Sequence, residues 1–69
     1  MIDIHKNTFE ILRIERKQYR GKDVVDMRVW AIGDQPGTEV PTKKGVTVRP
    51  ELVPEIVKAL QGLDTEPEL

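Results

Sequence analysis

Seven side chains in this sequence are of types that bind a polyanion: Tyr19, Arg20, Lys22, Arg28, Trp30, Lys43 and Lys44. Lysine and arginine neutralise phosphates, and an aromatic ring offers a nucleobase a stacking face at about 1 to 3 kcal/mol per base. Their spacing favours this chemistry. Tyr19, Arg20 and Lys22 surround Gly21, which takes positive φ without penalty, so a ring and two cations share one bend. From Asp23 the side chains alternate. Val25, Met27, Val29 and Ala31 form an apolar row, while Val24, Asp26, Arg28, Trp30 and Ile32 form a second row that sets a cation beside an indole. Lys43 and Lys44 stand at the entrance of a further strand. Taken singly, these are a polar turn, a core tryptophan and a solvated strand end. Their placement on strands expected to be neighbours is what favours binding, with Trp30 divided between base stacking and a structural role. Because no helix carries the basic residues, a single strand suits this surface better than a duplex.

Catalytic chemistry has little to stand on. The chain has no serine and no cysteine, His5 is its one histidine, and there is no phosphate loop. Glu10 with Glu15, and Asp23 with Asp26, read as exposed strand acids. The expectation is a protein that is not an enzyme, with no cofactor, no metal and no disulfide.

With 69 residues this is one small domain, a size that buries about 60% of the surface of its unfolded chain. Without cysteines, a partner subunit is the remaining way to enlarge its core. The net charge of −1 hides a segregation. Arg13, Arg16, Lys17, Arg20, Lys22 and Arg28 outnumber Glu15, Asp23 and Asp26 in one stretch, whereas Asp64, Glu66 and Glu68 sit in the tail. No apolar run approaches the roughly 18 residues of a spanning helix, and the N-terminus lacks a signal pattern. No membrane partner is expected, and the localisation is cytoplasmic, with the nucleoid in a bacterium or the nucleus in a eukaryote.

These residues must be positioned by a sheet. Met1 to Ile4 reads either as a short first strand or as a loose terminus, and residues 5 to 8 as a polar turn. Phe9 to Gln18 changes parity between Ile11 and Leu12, which predicts a strand with a bulge in preference to a helix. Residues 23 to 32 form the next, antiparallel strand. Two glycines and two prolines make 33 to 42 a loop, followed by a short strand over 43 to 49. Leu52, Val53, Ile56, Val57, Leu60 and Leu63 recur at helical spacing over 50 to 63; Pro50 suits a first helical position, and Pro54 then requires either an irregular first turn or a regular helix starting near Val53. Gly62 marks its end, and 64 to 69 form an acidic, disordered tail to a domain spanning 1 to 63.

The order Tyr-Arg-Gly-Lys, Val-Val-Asp-Met-Arg-Val-Trp, Pro-Thr-Lys-Lys-Gly-Val-Thr-Val and Arg-Pro-Glu resembles the single-stranded-DNA-binding domain of the transcriptional positive cofactor family, from Ile14 to Leu60. The resemblance implies an α+β fold: a curved antiparallel four-stranded sheet followed by a C-terminal helix, in an intertwined, whirly-like homodimer. It implies binding of single strands or of melted duplex, in transcription or in DNA repair and replication, with the transcription machinery as a further partner. Carried over by position, Tyr19, Arg20 and Lys22 are turn contacts, Arg28 a strand contact, and Lys43 and Lys44 contacts at the start of the last strand. Trp30 stands where the family has an aromatic, but Ala31 follows it where a second aromatic can occur. Arg16 at a position often apolar, and Pro54 in the helix, are further departures. The family's Ser- and Lys-rich N-terminal region has no counterpart, as in its compact bacterial or phage members. The competing readings are RNA binding, and a protein-interaction module docking an acidic partner.

Overall fold

The computed structural model describes residues 1–35 and 37–65. Four strands, β1 (Ile2–Asn7), β2 (Glu10–Tyr19), β3 (Lys22–Ala31) and β4 (Val40–Val48), form one antiparallel sheet in the order β1-β2-β3-β4. A 3-10 turn over Pro50–Leu52 leads into α1 (Val53–Thr65). The expected curved sheet with its following helix is what the chain forms.

Each junction has a local cause. At the β2–β3 turn Arg20 has φ 53° and Gly21 φ 79°, two consecutive positive values that mark the two-residue turn matched to strand twist. The ladder beyond is unbroken, from Tyr19 opposite Lys22 to Glu10 opposite Ala31. No bulge interrupts β2 on this side. The parity change between Ile11 and Leu12 instead reflects apolar residues on both faces. The register shift lies in the β1–β2 ladder, between His5 and Asn7. There the polar segment expected to be a turn is strand, because pairing with β2 satisfies its backbone; the turn is Thr8–Phe9. β4 likewise begins at Val40, inside the expected loop, and includes Pro41, which an edge strand tolerates.

Pro54 falls in the first turn of α1, where its missing N–H has no intrahelical partner to lose. The preceding 3-10 turn, closed by the Leu52 N–H on the Arg49 carbonyl at 3.0 Å, absorbs the irregularity. Gly62 does not end the helix, which continues to Thr65. Residues 66 to 69 of the expected tail lie outside the described residues.

The molecule is a slab 18 Å in its shortest dimension, too thin to enclose much. Ile11 and Val29 are the buried apolar side chains among the described residues. Pairing puts Ile2, Ile4, Leu12, Ile14, Val25, Met27, Val46 and Val48 on one face, called here the apolar face. Between it and α1 lies an open cleft of about 170 Å³, lined by Ile14, Val25, Met27, Val53, Ile56, Val57 and Leu60. The opposite face carries Asp3, Arg13, Asp26, Arg28, Trp30 and Thr47 and is called the charged face.

Candidate nucleic-acid interface

The charged face is built around two buried ions. Asp26 is 1% exposed and accepts hydrogen bonds from Arg28 Nε at 3.2 Å, Arg28 Nη2 at 3.1 Å and Thr47 Oγ1 at 2.8 Å, with Lys17 Nζ at 3.6 Å. Burial pushes its pKa up, but the hydrogen bonds from Arg28 and Thr47 and the Lys17 charge outweigh it, and the carboxyl is held below its ordinary range. Arg28 also donates from Nη1 to the Thr42 carbonyl at 3.1 Å. Its guanidinium therefore ties β3 to β4 where the register shifts, between Arg28 and Trp30. At that point Gly45 faces Arg28, and a Cβ there would lie 2.6 Å from the Met27 carbonyl oxygen and 2.8 Å from the Arg28 Cα. Only glycine permits the approach. Beside it, Thr42 Oγ1 donates to the Val29 carbonyl at 2.7 Å and accepts the Lys44 N–H at 3.2 Å.

The second ion is Arg13, directly across the ladder from Arg28. Its Nε and Nη2 donate to Asp3 at 2.8 and 3.0 Å, and Nη2 donates to Glu39 Oε1 at 3.2 Å. The guanidinium carbon lies 4.3 Å from the centre of the Trp30 ring. The Arg13 hydrogen bond holds the Asp3 carboxyl below its usual range, and the same bond raises the pKa of Arg13. Trp30 Nε1 is buried with no hydrogen-bond partner.

Against these, the sequence-selected residues separate into two groups. Tyr19, Arg20, Lys22, Lys43 and Lys44 are exposed. Tyr19 and Lys22 are cross-strand partners, and the Arg20 guanidinium carbon lies 5.2 Å from the Tyr19 ring centre. None of these four cations has an ion pair among the described residues. Arg28 and Trp30 are instead half-buried and engaged, one by Asp26, the other by Arg13. Lys43 and Lys44 lie within β4, at its irregular stretch, and not at its start. A depression of about 300 Å³ lined by Lys17, Tyr19, Asp26, Arg28 and Thr47 joins the hairpin to the centre of the charged face. Lys17 was not singled out by sequence, although its parity with Tyr19 places both on one face. Arg13 carried no signal beyond its charge.

The architecture defines the class: an α+β module with a curved four-stranded meander and a C-terminal helix, and among its described residues no helix is long and apolar enough to cross a membrane. The family profile described as Transcriptional Coactivator p15 (PC4) matches residues 6–59, and the chain belongs to this family of single-stranded-DNA-binding coactivators. Two crystal forms of a PC4 homologue from Burkholderia pseudomallei are similar to it. The orthorhombic form has a TM-score of 0.86 at 33% identity, over 97% of this chain and 89% of that one. The tetragonal form has a TM-score of 0.80 at 33% identity, over 93% of each. No curated protein gives a significant match.

Proposed function

We propose that the chain is a homodimeric single-stranded-DNA-binding protein that acts, without catalysis, in transcription or in the repair and replication of melted DNA. The observation that carries this reading is the exposed set at the hairpin and the β4 irregularity: Arg20, Lys22, Lys43 and Lys44, unpaired among the described residues, with Tyr19 between strands at the tip. Arg20, Lys22, Lys43 and Lys44 neutralise phosphates and Tyr19 stacks on a base. Arg28 contributes the part of its guanidinium that Asp26 leaves open, and Trp30 the part of its ring that Arg13 leaves uncovered. The apolar face and α1 supply the dimer contact, since Val46, Val57, Leu60 and Leu63 are 46% to 64% exposed in the single chain.

The test is a fluorescence titration with one mixed sequence as single-stranded DNA, duplex DNA and single-stranded RNA, at two salt concentrations. Single-stranded DNA is expected to bind tightest, with log K falling against log salt by about 0.7 for each phosphate contact, about 2.8 for the four free cations. Equal affinity for duplex, or salt-independent binding, would overturn the proposal. Tighter binding to RNA would redirect it.

A further inference from the structure

The cluster around Arg13 has no part in the phosphate contacts proposed above. Arg13 is only 8% exposed, yet it touches a carboxylate from β1, another from the segment before β4, and the ring of the chain's single tryptophan. A guanidinium is planar, so it can donate in its plane while stacking flat on an aromatic face, an arrangement lysine does not reproduce. The indole is held by little else that is polar, because Trp30 Nε1 has no hydrogen-bond partner. One guanidinium between two carboxylates also leaves a net negative cluster, which repels a phosphate.

We propose that Arg13 is a positioning residue for nucleic-acid binding: clamped by Asp3 and Glu39, it covers part of the Trp30 indole, fixes the ring's orientation and leaves the remaining surface to a nucleobase. The clamp rests on geometry, whereas its effect on binding rests on the functional reading above. Arg13 acts through Trp30 and not through the DNA backbone.

The test compares Arg13→Met, which keeps an apolar stem, and Arg13→Lys, which keeps the charge, with the wild type. Folding is checked by circular dichroism. In Arg13→Met the Trp30 emission should be quenched more readily by acrylamide, and affinity for a mixed-sequence single-stranded oligodeoxynucleotide should fall about tenfold, within the range of one disturbed base stack. The slope of log K against log salt should not change, because no phosphate contact is lost. Arg13→Lys should lie between the two, and it decides the matter if Arg13→Met does not fold. Unchanged quenching or unchanged affinity in a folded variant overturns the proposal, as does a slope reduced by about 0.7, which would make Arg13 a phosphate contact. A wild type that binds no oligonucleotide instead overturns the functional reading, together with the binding half of this one; the quenching comparison then decides the clamp alone.

Discussion

On the face that carries Ile2, Ile4 and Val46 these apolar side chains are 49% to 63% exposed. On the face that carries Arg13, Asp26 and Arg28 these side chains are charged and yet include the least exposed group described, Asp26 at 1%. The two faces therefore meet different requirements. Asp3, Arg13, Asp26 and Arg28 on the charged face find their partners within one chain, so the centre of that face is organised before any ligand arrives. On the apolar side α1 borders the sheet across an open cleft and leaves Val57, Leu60 and Leu63 exposed in the single chain. Covering them contributes about 2.5 kcal/mol for each 100 Å² of apolar area removed from water, which is large for a domain this size.

This contrast can be broken most forcefully on the apolar side. Leu60→Glu should raise the dimer dissociation constant at least about a hundredfold, roughly 3 kcal/mol, because a carboxylate would enter an apolar contact. Sedimentation equilibrium that still shows twice the 7.9 kDa chain mass at low micromolar concentration would remove the α1 stripe from the interface. On the charged side, Asp26→Asn should cost about 2 kcal/mol in urea unfolding, less than a fully buried pair because Arg28 keeps some access to water. Its pH dependence has a definite sign. The folded pKa lies below the ordinary 3.8, so the unfolded chain takes up the proton first, and the contribution of Asp26 is complete above that pH. It is lost as pH falls through the folded value, so wild type and variant should converge in acid.

Two smaller effects sharpen the comparison. Gly45→Ala should destabilise by on the order of 1 kcal/mol, since its Cβ meets backbone and not a flexible side chain. By shifting Arg28 it should also weaken oligonucleotide binding while leaving the dimer intact; a variant with wild-type stability would show that β4 can move aside. Lys43→Ala with Lys44→Ala should change stability by no more than about 0.5 kcal/mol. It should nevertheless flatten the salt dependence of binding by about 1.4 for the pair. If slope and affinity both stay at wild-type values, the pair lies on an idle surface.

The fold was legible in the sequence where short-range rules act alone. Alternation from Asp23 assigned the two rows of β3, Gly21 marked the turn, and Pro54 limited α1 to an irregular first turn or a start near Val53, of which the 3-10 turn over Pro50–Leu52 followed by α1 from Val53 is the outcome. What escaped was set by pairing between distant segments. Nothing in Ile2 to Asn7 says that Asp3 will face Arg13, because one residue of slip would put Asp3 on the other face. Without that register, neither the Arg13 clamp nor the covering of Trp30 follows, and Arg13 remains one more charge in a basic stretch. Arg28 reads as a free cation for a related reason: Asp26, two residues earlier, has the look of an exposed acid, because the sequence does not show that β4 brings Thr47 against Asp26 and Gly45 against Arg28. The α1 extension past Gly62 shows the limit of a local stop signal, since the turns before it outweigh one residue's propensity.

The meander order of the sheet has a consequence in time. Every strand is joined to its neighbour in sequence, and the two central strands are separated by two residues. Loop-closure entropy is small at that turn, as it is at Thr8–Phe9, but the ladder beyond Arg20 and Gly21 is the longer one and has no register shift, so its ten pairs can zip outward from them, the low-contact-order route to rapid folding. The hairpin tip proposed to meet DNA is then also where the chain begins to fold. Synthesis completes both strands of this hairpin before any of α1 is made. Sheet formation is accordingly a unimolecular event whose rate ignores protein concentration, whereas covering the apolar row in the proposed dimer would be bimolecular and slow on dilution, so the newly made chain would have its charged face in order before it met a second copy.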